Sequence, residues 1–363
     1  MPASQRERTL ALLRGETRGF VPGLQRAALW CAQWPYRAAV SIRNRRYDRG
    51  VGVVRLPVPI VGVGNLSTGG TGKTVAVEAI ARFYRDEGRI VAILSRGYGS
   101  ADGGPNDEAM LLEENLPDVP HLQGADRSVL AQTALDELDP DVLLLDDGFQ
   151  HRRLGRTLDI AMIDAAHSPY RDHLLPRGFL REPVTGLARA HAVLLSKCDQ
   201  VAPGEVEELE AKLKADFPHV LVARTSHTPI EWIGGADGPE PADWIAGREV
   251  AAFCGLGQPK AFERSLMGLG ANVVAFRTFP DHYNYGRADV DELSHWAGKF
   301  SPGTVIATTQ KDWVKLRLGE LGGRPLRALR IGLNFQSGEA EFHDLLRSAV
   351  PDGLEDGEAG GDE

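Results

Sequence analysis

From residue 56 onward the chain alternates short, continuously apolar runs with stretches of helix length, and this constrains its fold more than any other feature. The apolar runs are 57–63, 90–94, 142–145, 160–163, 192–195 and 220–223, and residues 74–87, 127–138 and 203–216 lie between them with helical spacing. A strand that is apolar on both sides has to be covered on both sides, and helices alternating with such strands are the crossovers of a parallel sheet. Residues 228–246 are rich in Pro, Gly and Asp and read as a connection. A second alternating set follows: strands at 250–253, 273–276, 304–307 and 329–333, with helices from 259 and near 289–296. The expected fold class is α/β, with a mostly parallel sheet in a core domain over 51–228 and a second, smaller α/β domain over 229–350.

Residues 1–50 read as a separate amphipathic helical region. They hold ten Arg and no Lys against Glu7, Glu16 and Asp48, a net +7. Between Pro22 and Pro35 a short helix is expected, with Leu24, Ala27, Ala28, Cys31 and Trp34 on one side and Gln25, Arg26 and Gln33 largely opposite. Trp and Arg on such a helix suit a bilayer interface, and packing on the protein's own domain is the alternative. Residues 351–363, with six acids and no base, read as a solvated, disordered acidic tail.

The remaining composition narrows the class. A formal charge of −9 excludes a whole-chain nucleic-acid polycation. Three widely spaced cysteines, Cys31, Cys198 and Cys254, form no CxxC pair and fit a reducing cytosol better than a disulfide framework or zinc site. No secretory signal and no apolar stretch long enough to span a membrane is visible, so a cytosolic protein, or one lying on a membrane from the cytosolic side, is expected.

The strongest chemical signal is Gly64-Asn65-Leu66-Ser67-Thr68-Gly69-Gly70-Thr71-Gly72-Lys73-Thr74, after an apolar strand and opening a helix. Glycines let backbone N–H groups curl around a phosphate, the helix N-terminus adds its dipole, the Lys reaches the β/γ-phosphates and the hydroxyl reaches Mg²⁺. The usual GxxxxGK[ST] pattern departs at its first position, where Ser67 stands in place of Gly. The predicted fold is therefore P-loop NTPase-like, with Ser67, Thr68, Gly69, Gly70, Thr71, Gly72, Lys73 and Thr74 binding the phosphates of a nucleotide. The second signal is Leu143-Leu144-Leu145-Asp146-Asp147-Gly148-Phe149-Gln150-His151, an apolar strand ending in acids. A carboxylate there stands beside the Mg²⁺ held by the loop hydroxyl, so Thr74 with Asp146 or Asp147 forms the candidate metal site.

Two strand-end segments, Ser196-Lys197-Cys198-Asp199 and Thr309-Gln310-Lys311-Asp312, resemble base readers of nucleotide-binding proteins. Further polar clusters are Ser95-Arg96-Gly97-Tyr98-Gly99 and Asn106-Asp107-Glu108, where Asp107 is either a helix cap or a site residue. The others are Leu175-Pro176-Arg177-Gly178-Phe179-Leu180-Arg181-Glu182-Pro183 and Phe279-Pro280-Asp281-His282-Tyr283. Read alone, each of these is more often a turn than a site.

Together these segments resemble the tetraacyldisaccharide 4′-kinase family. YRAAVSIRNRRYDRG, VPIVGVGNLSTGGTGKT, ILSRGYG, NDEA, DDGFQH, LLPRGFLREP, FCGLGQPKAF, FPDHY and TQKDWVKL occur in the family's order over about residues 36–316. Val75 and Ala109 depart from prolines usual in the family. The resemblance implies transfer of the ATP γ-phosphate to the 4′-hydroxyl of an acylated glucosamine disaccharide 1-phosphate, making lipid IVA. It also implies Mg²⁺, two closing α/β domains, and attachment of the N-terminal region to the cytoplasmic face of the inner membrane. It assigns Asp107 as the base, oriented or tuned by His282, and Arg181, with Arg177 beside it, to a phosphate. The rival readings are a deviant P-loop GTPase switch or metal-insertion NTPase and, more distantly, a P-loop ligase acting on a soluble acid.

Overall fold

The computed structural model describes residues 5–97, 106–236 and 238–351. Its core is one 13-stranded sheet. From one edge the order is Asn272–Thr278, Glu249–Cys254, Val305–Thr309, Arg324–Ser337, Leu221–Ile233, Ala192–Ser196, Leu158–Asp164, Ile60–Asn65, Val142–Asp146, Val91–Ser95 and His121–Gln123. Along this path all neighbours are parallel except the long pair Arg324–Ser337 with Leu221–Ile233. The family of short apolar runs thus becomes the expected mostly parallel α/β sheet.

The helices cover the sheet as their spacing dictates. Helix Lys73–Asp86 buries Ala76, Val77, Ile80, Ala81 and Tyr84, one face at three- and four-residue steps, against Val61, Val63, Leu144 and Ile160. Ala131 and Ala134 of Arg127–Leu138 cover the other face at Leu143 and Leu145. Separate clusters around Trp232, Val250 and Leu266, and around Phe253, Leu293 and Leu326, fill the second half.

The long antiparallel pair determines where a site can lie. Leu195, near the carboxyl end of its strand, pairs with Arg224, and Leu221–Ile233 then runs on past that edge. Arg324–Ser337 returns alongside it, so Trp232 lies opposite Leu329 and Arg224 opposite Ser337. Thr309, the carboxyl end of the second half's strand, pairs with Leu329. The carboxyl ends of the two parallel sets therefore face one another across this ribbon, and loops from both meet between them.

Several boundaries differ from the expected ones. The division at 228/229 falls inside Leu221–Ile233, because the apolar run is extended by a polar ribbon whose backbone is satisfied by Arg324–Ser337. Helix Glu339–Ala349 packs Phe342, Leu346 and Ala349 into the first half's core, beside Val77 and Ile80. The N-terminal helix does not stop at Pro35 but runs from Phe20 to Asp48. Proline removes one helical hydrogen bond, to the carbonyl of Cys31, which is exposed where water can serve it. Beyond Pro35, buried Val40 and bonds from Tyr36 and Asn44 to the 181–182 segment hold the helix on the protein. Edge strand His121–Gln123 and helix Gln310–Leu316 had no apolar period to announce them. Of the acidic tail, residues 352–363 lie outside the described residues, as do Tyr98 and Gly99.

Candidate active site

The glycine-rich loop joins strand Ile60–Asn65 to helix Lys73–Asp86 as predicted. Gly69 at φ +147° and Gly72 at φ +87° adopt backbone that side chains rarely take, and a Cβ on Gly72 would collide with the His227 imidazole. Buried Asn65 braces the loop from inside, its Nδ2 donating to the Gly69 carbonyl (3.3 Å) and to Thr71 Oγ1 (3.1 Å). From outside, the Thr68 N–H donates to the Phe179 carbonyl and the Arg181 N–H to the Leu66 carbonyl, both at 2.7 Å. The segment 173–182 is thus a wall of the loop, a role its turn-like sequence did not disclose.

Asp146 and Asp147 end strand Val142–Asp146 but differ in environment. Asp147, at φ +49°, receives Arg181 Nη1 on both carboxylate oxygens at 2.8 Å, and Lys73 Nζ lies 3.6 Å from Oδ1. Burial raises its pKa, but Lys73, Arg181 and Arg127 outweigh that and hold it below the usual carboxylate range. Asp146 is buried, accepts the Asp147 N–H at 2.7 Å, and takes part in none of the ion pairs among the described residues. Burial, helped by the nearby Glu108 charge, pushes it up to about 7. A buried carboxylate without a cation, one residue from an Asp already paired, is a place that suits a hard dication.

A second cluster is drawn from both halves. Asn106 caps helix Asp107–Asn115, its side chain accepting the Ala109 N–H at 2.9 Å, which frees Asp107 from capping. His282 Nδ1 lies 3.1 Å from Asp107 Oδ2, and Lys315 Nζ lies 2.6 Å from that same oxygen. Lys315 also donates to the Tyr283 carbonyl at 2.8 Å, and Lys311 Nζ stands 3.4 Å from His282 Nε2. An ionised carboxylate only accepts and an ammonium only donates, so the geometry assigns the imidazole proton to Nδ1 and the lone pair to Nε2. Burial raises the Asp107 pKa, but the bonds from His282 and Lys315 and the Lys311 charge hold it below the ordinary range. Lys311 was read from sequence as part of a base-reading segment and Lys315 was not singled out; their four-residue separation on one helix face was the available signal for this cluster.

The remaining segments have other partners. Lys197 Nζ donates to the Gly70 carbonyl (2.7 Å) and to Asp164 Oδ2 (2.6 Å), gripping the phosphate loop. Burial opposes ionisation of Asp164, but His167 and Lys197 hold its pKa at about 2. Asp312 is fully buried and internal to the second half, accepting from the Gly255 N–H (3.0 Å), the Tyr285 hydroxyl (3.0 Å) and Thr309 Oγ1 (2.6 Å). Arg177 donates to the Leu13 carbonyl at 3.0 Å, so of the two turn arginines only Arg181 contacts Asp147. Ser95 Oγ pairs with His121 Nε2 at 2.8 Å.

The N-terminal helix presents the side that simple amphipathicity would bury. Leu24, Ala27, Ala28, Cys31 and Trp34 are all exposed, whereas Gln33 is buried. Phe20 (86%), Leu24 (62%), Trp30 (48%) and Trp34 (50%) make an uncovered apolar face, with Arg37 stacked on Trp34. Among the described residues no helix is long and apolar enough to cross a membrane.

Residues 25–351 match the model of a family described as Tetraacyldisaccharide-1-P 4′-kinase. The tetraacyldisaccharide 4′-kinase of Anaeromyxobacter dehalogenans strain 2CP-C is 39% identical over 355 residues, 92% of each chain. That of Syntrophus aciditrophicus is 35% identical over 347 residues, covering 88% of this chain and 91% of its own. The crystal structure of "apo" form LpxK from Aquifex aeolicus in complex with ATP superposes with a TM-score of 0.73 at 32% identity. That match covers 90% of this chain and 100% of the Aquifex one.

Proposed function

This chain belongs to the tetraacyldisaccharide-1-P 4′-kinase family, and from that premise we infer how its residues carry out the transfer. The enzyme is an ATP-dependent kinase that moves the γ-phosphate to the 4′-hydroxyl of a lipid A precursor, tetraacyldisaccharide 1-phosphate. The P–O bond to the β-phosphate breaks, a P–O bond to the sugar forms, and the hydroxyl proton leaves. Such a transfer depends on alignment and charge neutralisation more than on covalent chemistry.

The observation that carries the residue assignment is the meeting of Asp107 with His282 at 3.1 Å, where the two sets of strand ends face each other. Asp107 takes the hydroxyl proton on Oδ1, while His282 donates Nδ1–H to Oδ2 and orients the carboxylate. The N–H groups of Ser67, Thr68, Gly69, Gly70, Thr71 and Gly72 cradle the phosphates, with Lys73 reaching the β- and γ-oxygens. Arg181, anchored on Asp147, neutralises charge on the group in transfer. Thr74 and Asp146 fit magnesium, with Asp147 beside them; when bound, the ion screens the repulsion between the phosphate oxygens.

The same reading places the enzyme on the cytoplasmic face of the inner membrane. Its support is the exposed Phe20, Leu24, Trp30 and Trp34 face with arginines alongside, since an acylated sugar has to be met at a bilayer surface. The same reading divides the chain into two units. The nucleotide unit includes the last helix, the smaller unit lies between the two ribbon strands, and closure assembles Asp107 with His282.

Incubating the enzyme in mixed micelles with γ-labelled ATP, Mg²⁺ and tetraacyldisaccharide 1-phosphate tests the reaction. Label is expected at the 4′ oxygen. Label released only as inorganic phosphate, with stronger turnover of GTP, would instead support the switch reading. An Asp107→Asn enzyme is expected to lose about 100-fold or more in kcat; near wild-type turnover would remove Asp107 as the base.

A further inference from the structure

We propose that Lys315 is the positioning residue of this site, clamping Asp107 to the loop that bears His282 so that Oδ1 alone is left to meet the acceptor hydroxyl. This rests on the assignment of Asp107 as base. Three observations carry it. Lys315 Nζ lies 2.6 Å from Asp107 Oδ2, and both side chains are largely buried, at 7% and 14% exposure. The same ammonium donates to the Tyr283 carbonyl at 2.8 Å, one residue beyond His282. Oδ2 is thereby occupied twice, by a cation and by the imidazole N–H, whereas among the described residues no bond falls on Oδ1.

The charges around Asp107 come from several elements. Lys315 and Lys311 stand on helix Gln310–Leu316, His282 and Asp281 on the loop after Asn272–Thr278, and Glu108 follows Asp107 on its own helix. Asp281 faces Lys311 at 3.7 Å and His282 Nε2 at 3.9 Å, so it partly cancels Lys311. Lys315 has no acidic partner besides Asp107 among the described ion pairs and is the cation in direct contact with it. A lysine four residues along the helix from Lys311 thus joins one half's base to the other half's loop. It does so with a strong charge-assisted bond in a site that water only partly reaches.

A positioning role predicts changes that lost stability alone would not produce. In Lys315→Met, kcat should fall on the order of 10- to 100-fold, as for a misplaced reacting group. KM for ATP should stay within about twofold, since the phosphate loop is untouched. Removing a cation beside a carboxylate weakens its ionised form, so the acid limb of the kcat profile should move to higher pH by about one unit. Lys315→Arg, which keeps the charge, should hold the limb at its wild-type position even if the rate drops. Should Lys315→Met not fold, Lys315→Gln gives the same reading.

A Met or Gln variant that melts like wild type with an unmoved acid limb would overturn the proposal, as would one with undiminished kcat. Asp107→Asn measured in parallel separates the two levels. If it keeps turning over, the base assignment itself fails. If it is inactive while the acid limb of Lys315→Met stays in place, only the role of Lys315 fails.

Discussion

Arg181 places a single guanidinium nitrogen 2.8 Å from both carboxylate oxygens of Asp147, while its own backbone N–H is bonded to the Leu66 carbonyl. The arginine is therefore fixed at both ends, to the strand-end acid and to the root of the phosphate loop. Lysine has a single nitrogen, and with that nitrogen on Asp147 it has none left to offer a phosphate, whereas arginine keeps further guanidinium donors. Arg181→Lys and Arg181→Ala should each lower kcat on the order of 100-fold or more, with melting temperature nearly unchanged because the contact is partly exposed. Single-turnover rates alongside thermal melts check this. A large stability loss with intact chemistry would contradict it.

The two neighbouring acids should respond differently to magnesium. Asp146→Asn is expected to raise the magnesium concentration needed for half-maximal rate and to lower the maximal rate. Asp147→Asn should leave the magnesium requirement closer to wild type while reproducing much of the Arg181 defect. A chelator in excess over magnesium should abolish transfer by the unaltered enzyme. Magnesium titrations of the three proteins decide the matter, and an Asp146→Asn curve overlying the wild-type one would count against the assignment.

Acid sensitivity should carry a histidine contribution. Burial pushes His121 down to about 4, and burial with Arg127 and Arg156 nearby pushes His151 to about 4 as well. With folded values below the unfolded one, the unfolded chain binds more protons between about pH 6.5 and 4, so stability falls as pH drops through that window. Asp146, raised to about 7, works the opposite way over much of the same range. The comparison with His121→Gln isolates the histidine share. The variant's melting temperature should fall less between pH 7 and 5 than that of wild type, and parallel curves would refute the expectation.

The exposed apolar side of the N-terminal helix should bind lipid rather than protein. Replacing Trp30 and Trp34 with Glu should reduce sedimentation with vesicles containing anionic lipid without changing the melting temperature, because both rings are about half exposed. Undiminished vesicle binding would remove this face as the contact.

What could be read from the sequence was local. Strand Val142–Asp146 announced itself as an unbroken apolar run ending in acids, and Gly69, Gly70 and Gly72 marked a loop whose backbone must turn where side chains cannot. Asp107 and His282 entered through the family resemblance, since nothing in their own segments distinguished them from a cap and a turn. The outward orientation of Leu24 and Trp34 was one of two readings that the residues left open, because periodicity gives a face but not a direction. The continuation of that helix past Pro35, and the differing partners of Arg177 and Arg181, depend on Leu13, Tyr36 and Asn44 meeting residues more than a hundred positions away. Lys315 was hidden for the same reason: its role exists only once the two halves are opposed.

Because Phe342, Leu346 and Ala349 complete the core that Val77 and Ile80 begin, the smaller half is an insertion into the nucleotide-binding one, entered along one ribbon strand and left along the other. During synthesis the phosphate loop emerges early, yet the hydrophobic layer beneath its helix stays open until the chain has built the acceptor side and returned. A ribosome-bound fragment ending before residue 339 would expose that layer to water and to chaperones. Acquisition of a finished nucleotide site is thereby timed to follow acquisition of the half that supplies His282 and Lys315.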